Sequence, residues 1–134
     1  MYLSTRQRNK IKLLYGGKCA YSGTKLELNW QIDHVKPLLR NSHTGLIDYP
    51  SNNNINNLVP CQALINHYKG PAPLEIFREY LVPDISQLLR SFHRQPRTSS
   101  EQQYYNYISA LAKYFGIAID SEWNGIFYFE LIAL

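Results

Sequence analysis

Apolar positions repeat at helical spacing near both ends of the chain and alternate in its first half. From Ser4 to Tyr15 the residues Ile11, Leu14 and Tyr15 share a face and Arg6, Arg8, Lys10 and Lys12 occupy the other, which predicts a helix capped by Ser4 or Thr5 and stopped by Gly16-Gly17. Cys19 to Gly23 reads as a knuckle-like turn. Lys25 to Val35 then alternates as strands do, with Trp30 and Ile32 on one side and Gln31 and Asp33 on the other. Asp33 and His34 fall where a strand runs out into a loop.

From Pro37 to Asn57 the residues change to Asn, Ser, Gly, Pro and Asp, including the run from Ser51 to Asn57, and a loop of this length in a compact domain is often functional. Leu58 to Pro60 reads as a short return strand. Cys61 to Tyr68 follows as a helix with Leu64 and Ile65 inward, ending at Lys69-Gly70. Beyond Pro71 and Pro73 a helix is predicted over Leu74 to Tyr80. Another opens at Pro83-Asp84 with Ile85, Leu88, Leu89 and Phe92 on one face. Glu101 to Phe115 carries the stripe Tyr104, Ile108, Leu111, Ala112 and Phe115. The turn residues Trp123-Asn124-Gly125 predict a terminal hairpin, or two edge strands, from Ile117 to Ile119 and Ile126 to Leu131.

Composition narrows the class. At 134 residues the chain has room for one modest core, and 45% hydrophobic with 18% charged residues is too apolar for a disordered tail. Its greasiest stretch, Gly125 to Leu134, contains Glu130 and falls well short of the ~20 residues a membrane span needs. The first residues carry cations without a following apolar run, so they do not read as a secretion signal and a cytoplasmic location is the default. In a reducing compartment Cys19 and Cys61 are expected as free thiols. A net charge of +4 favours a polyanionic partner, because cations set against phosphates release condensed counterions.

The candidate chemistry lies in Ile32-Asp33-His34-Val35-Lys36-Pro37-Leu38 and in Asn57-Leu-Val-Pro-Cys-Gln-Ala-Leu-Ile-Asn66-His-Tyr-Lys69-Gly70. An Asp-His pair alone is most simply a polar surface feature. Joined to Asn57, Asn66 and Lys69 in this order and spacing, it resembles the HNH endonuclease family, and most closely the HNH domains of RNA-guided CRISPR nucleases, over roughly Gly16 to Tyr80. The resemblance implies an α+β fold: a ββα-metal (His-Me finger) motif with flanking helices and a short C-terminal β tail. Residues 1–82 would form the nuclease core with its N-terminal helix, and 83–134 a helical and short β extension packed on the same domain.

It also implies a reaction, phosphodiester hydrolysis with one divalent metal. His34 would be the general base, a role suited to an imidazole near neutral pH. Asp33 and Asn66 would hold the metal. One carboxylate and one amide oxygen suit Mg²⁺, with Mn²⁺ able to substitute. Asn57 would bridge the loop backbone and hold His34 in orientation, and Lys69, Lys36, Arg40 and His67 would contact phosphates. DNA is favoured over RNA as substrate, although no residue separates the two. An RNA-cleaving enzyme, or a catalytically weak module that binds nucleic acid or a partner on the same scaffold, remains an alternative. The segment after Tyr80 is open to a homodimer or partner-protein role, and no membrane role is expected.

The sequence departs from the family at its structural zinc. Where two Cys-x-x-Cys pairs are usual, only Cys19 matches, while Ser22, Gln62 and Ile65 hold the other positions. No structural zinc is expected, with Ile65, Leu64 and Tyr21 filling the space instead. Tyr104 and Tyr107 read as core-edge residues before they read as a base-stacking platform. The cations of the first helix suit a phosphate backbone or plain solvent equally well.

Overall fold

The computed structural model describes residues 3–37, 43, 44, 46, 51 and 53–133. Helix α1 spans Thr5–Leu14, and its start is closed reciprocally: the Gln7 amide donates to Ser4 Oγ at 3.1 Å, and the Ser4 amide donates to Gln7 Oε1 at 2.9 Å. Of the expected apolar face only Ile11 is buried. Leu14 is 69% exposed, and Gly16 and Gly17, both at positive φ, turn the chain directly after the helix.

Strands β1 (Gln31–His34) and β2 (Leu58–Cys61) pair antiparallel, with Gln31 opposite Cys61, Ile32 opposite Pro60, Asp33 opposite Val59 and His34 opposite Leu58. Strand structure is shorter than the alternation from Lys25 predicts. Between Lys18 and Gln31 the ladder is reduced to an isolated bridge, Lys18 to Lys25, and to turn hydrogen bonds such as that from the Cys19 amide to the Thr24 carbonyl at 2.8 Å. The knuckle docks on the sheet where the Ala20 amide donates to the Pro60 carbonyl at 2.9 Å. Before β2 a 3₁₀ turn covers Ile55–Asn57, capped by Asn54, and directly after it α2 covers Ala63–Lys69.

Two sequence expectations fail beyond this unit. Leu74 to Arg90 is one continuous helical run rather than two helices: α3 (Leu74–Ile76), a π-helical turn (Phe77–Leu81) and α4 (Val82–Arg90). Pro83 lacks an amide hydrogen, and a wide turn just before it absorbs the missing bond without breaking the helix. The Tyr68 hydroxyl donates to the Leu81 carbonyl there at 2.6 Å.

The second failure is the β tail. Apart from an isolated Ala118–Ser121 bridge, the residues expected as strands end in helix α6 (Tyr128–Ile132). Glu130 closes the start of this helix: it accepts from the Phe127 amide three residues back at 2.9 Å, a reach that helix geometry allows and an extended strand does not, and it takes both terminal guanidinium nitrogens of Arg78 at 2.7 Å.

Helix α5 (Ser99–Phe115) is capped by Thr98 and ends at left-handed Gly116. Ile108, Leu111, Ala112 and Phe115 of its stripe are buried, whereas Tyr104 is 45% exposed. One hydrophobic cluster takes in Tyr21 and Cys61 from the first half of the chain and Ile85, Leu111 and Phe127 from the second. Its centre is aromatic: Tyr21 meets Phe77 and Phe127 edge-on, each at 5.4 Å, and those two rings stack on each other. The C-terminal segment is also tied to the knuckle by backbone, since the Tyr128 and Phe129 amides donate to the carbonyls of Tyr21 and Ala20. The architecture is α+β, with a small antiparallel hairpin held among helices.

Candidate functional site

Strand β1 and helix α2 meet residue against residue. Gln31 and Asp33, two apart on the strand, share a face, and Asn66 and Lys69, three apart on the helix, lie about one turn from each other. Asn66 Nδ2 donates to Gln31 Oε1 at 2.7 Å, and Lys69 Nζ sits 3.1 Å from Asp33 Oδ2. Both pairs follow from a short hairpin feeding directly into a helix whose Ile65 is fully buried. With Ile65 fixed inward, the next turn is presented to the strand.

Asp33 is nearly buried, and a buried carboxylate is tolerated only when paired and hydrogen-bonded. The Tyr21 hydroxyl donates to Oδ2 at 2.6 Å, on the oxygen that faces Lys69. Lys69 in turn donates to the His34 carbonyl at 3.2 Å. Burial first, then the Asp33 charge, holds the Tyr21 phenol well above its ordinary range, so it stays protonated as the donor. The Cys61 thiol is pushed up the same way, by burial and then by Asp33, which makes it inert packing rather than a nucleophile. Lys69, expected to contact a phosphate, has only 1% of its side chain exposed and is committed to Asp33 and the strand backbone.

His34 ends β1. The register runs unbroken to it and continues as the Val35 amide donates to the Asn57 carbonyl at 3.0 Å, so no bulge rotates His34 onto the face of Asp33. The imidazole is half-buried, with Nε2 3.1 Å from Asn53 Oδ1. Asn57 brackets the departing chain: its Oδ1 accepts from the Lys36 amide at 2.9 Å and its Nδ2 donates to the Lys36 carbonyl at 2.8 Å. Lys36 itself is exposed. His67 is exposed on α2, its ring 5.9 Å from that of Tyr107 on α5, and Arg40 lies outside the described residues.

The donor set can be tested against a hard divalent ion. Tyr21 and Lys69 both engage Oδ2 of Asp33, which leaves Oδ1. The Asn66 amide, donating through nitrogen to Gln31, keeps its oxygen. By donor chemistry two hard oxygens suit an ion that retains most of its water. Among the described residues no three His, Cys, Asp or Glu side chains gather around one point, so such an ion would rest on Asp33, Asn66 and solvent.

A zinc ion does not fit the knuckle. Gln62 is fully buried: its Oε1 accepts from the Glu27 amide at 3.1 Å, and its Nε2 donates to Lys25 O at 2.7 Å and Thr24 Oγ1 at 3.1 Å. The Ser22 amide closes the turn on Cys19 Sγ at 3.5 Å. One thiol, a committed amide, a hydroxyl and an isoleucine offer no closed four-ligand shell. Tyr21, Ile65 and half-buried Leu64 belong to the core beside it, and the amide of Gln62 is the cross-link that sequence reasoning missed.

The hydrogen-bonding roles of Tyr21, expected only as packing, of Gln31 and of Asn53 were missed as well. Gln31 could have been found, since strand alternation puts it on the Asp33 face. Tyr21 and Asn53 carried no comparable signal.

Comparison with protein-family models, with curated proteins and with solved structures returned no match. What the fold and the site define is an α+β protein in which a hairpin and the helix after it enclose a buried Asp33–Lys69 ion pair, with an oriented imidazole at the end of the strand.

Proposed function

We propose that the chain is a metal-dependent endonuclease of the HNH class, with β1, β2 and α2 as its ββα-metal unit, hydrolysing phosphodiester bonds in nucleic acid, DNA in preference to RNA. The reading is carried by one observation: α2 is paired against β1 through Asn66–Gln31 and Lys69–Asp33, so the carboxylate and the amide required of the motif lie on one face. Asp33 and Asn66 would hold Mg²⁺ or Mn²⁺, and the bound ion would neutralise charge at the phosphate and at the departing oxygen.

The remaining work falls to side chains. His34 takes the proton of a water whose oxygen attacks phosphorus, the bond from phosphorus to the 3′ oxygen breaks, and that oxygen leaves as a hydroxyl after gaining a proton from solvent, with the phosphate staying on the 5′ side. Because His34 and Asp33 leave the strand on opposite sides, the scissile phosphate belongs at the strand end, where Asn57 holds the backbone of Lys36. Lys36, Arg40 and His67 are proposed to contact neighbouring phosphates, and Lys69 to serve as the counter-ion of Asp33.

The test is a cleavage assay on DNA and RNA with Mg²⁺, Mn²⁺, Zn²⁺ or EDTA. Nicking with Mg²⁺ or Mn²⁺, lost in a folded His34→Ala variant, is expected; equal activity in the variant would refute the assignment of the base. The alternative of a binding module without cleavage is favoured by the same ion pair, since Lys69 already satisfies Asp33 without a metal. It predicts salt-sensitive nucleic-acid binding, unchanged in Asp33→Asn, and no cutting with any metal.

A further inference from the structure

The asparagine run from Ser51 to Asn57 is composed as a loop, yet the described part of it is built. Asn54 Oδ1 accepts from the Asn56 amide at 3.0 Å and its Nδ2 donates to the Ser51 carbonyl at 2.6 Å, which fixes the entry to the 3₁₀ turn. That turn delivers Asn57 to both backbone groups of Lys36. Between these anchors Asn53 sets its amide oxygen 3.1 Å from Nε2 of His34. A half-buried imidazole on a short strand is thus gripped from a separate segment, itself capped at one end and clamped at the other.

We infer that Asn53 is a positioning residue for His34. Resting on the nuclease reading above, its task is to hold the ring as the Nε2–H form and leave the lone pair of Nδ1 to receive the proton from water. The argument is one of donors and acceptors. An amide oxygen has no proton to give, so a hydrogen bond at this distance requires the proton on Nε2; in a neutral ring Nδ1 is then the acceptor. Free imidazole also rotates about its side-chain bonds. A hydrogen bond from a tethered loop removes that freedom at no cost in charge, where a carboxylate in the same place would add a negative group beside the substrate phosphate. The excess of asparagine here has a physical use: its amide caps, clamps and orients without adding to the repulsion of a polyanion.

The experiment compares Asn53→Leu, which keeps size and removes the acceptor, with Asn53→Asp, which restores an acceptor oxygen at the same reach. In the wild type, nitrogen-15 spectra of the full chain should show the Hε2 proton of His34, assigned by its loss in His34→Ala, slowed in exchange with water. It should vanish in Asn53→Leu and persist in Asn53→Asp. In cleavage assays Asn53→Leu should lower kcat by about 3- to 10-fold, the worth of one oriented hydrogen bond, with KM unchanged. A protected Hε2 proton in Asn53→Leu, or a loss confined to KM, would overturn the inference. Wild-type protein that cuts nothing with any metal would overturn the nuclease reading and the catalytic consequence of Asn53 together, while the proton signal would still decide whether Asn53 holds the ring.

Discussion

Lys69 Nζ lies 3.1 Å from Asp33 Oδ2, with 1% of the lysine side chain and 11% of the aspartate exposed. A pair this deep gains little over two apolar residues of the same size, because desolvation offsets most of the attraction; removing one member alone leaves an uncompensated charge. Lys69→Met is therefore expected to cost about 3–5 kcal/mol in urea unfolding. The double variant Asp33→Asn with Lys69→Met should recover most of that loss, and a double variant as unstable as the single one would show that the ion pair is not what Lys69 supplies.

The same ammonium would oppose a divalent ion on Asp33 in the metal-dependent reading. Manganese titration followed by electron paramagnetic resonance should find weak binding in the wild type, tighter in Lys69→Met and absent in Asp33→Asn. Binding indifferent to both changes would place the ion elsewhere.

Gln62 cross-links the knuckle through its amide. Gln62→Leu removes its part-buried hydrogen bonds to the Glu27 amide, the Lys25 carbonyl and the Thr24 hydroxyl, each worth about 0.5–1.5 kcal/mol. The variant should melt well below the wild type. EDTA should leave the wild-type melting temperature unchanged, whereas a marked fall would reveal a structural metal in the knuckle.

Asn57→Ala removes two hydrogen bonds to the Lys36 backbone and should cost about 1–2 kcal/mol. Amide exchange at Lys36 should quicken while exchange within α5 stays slow. Uniform acceleration across the chain would instead indicate global loosening.

Arg78, hydrogen-bonding directly to Glu130, holds that carboxyl below its ordinary 4.5. Its unfolded form takes up a proton first on acidification, so the stability it contributes is complete above pH 4.5 and drains away as the pH falls below that value. Thermal melts should show an acid-side decline that is shallower in Glu130→Gln. Parallel curves for the two proteins would remove Glu130 from the account.

The sequence alone determined where most elements begin and which residues are candidates for chemistry. The Ser4 cap, the strand and helix around Asp33 and Asn66 and the stripe of α5 are local patterns, written in neighbours three or four positions apart. Tertiary structure decided what those residues face. Lys69 turned inward because Asp33, on a separate strand, needed a charge beside it once the core closed. Gln62 became a cross-link because residues 35 to 38 positions away arrived within hydrogen-bond reach. Glu130, whose contact with the Phe127 amide starts α6 locally, found its partner in Arg78, 52 positions away. Periodicity reports which side of an element is apolar, whereas the partner of a buried polar group depends on packing across the whole chain, which no short window of sequence contains.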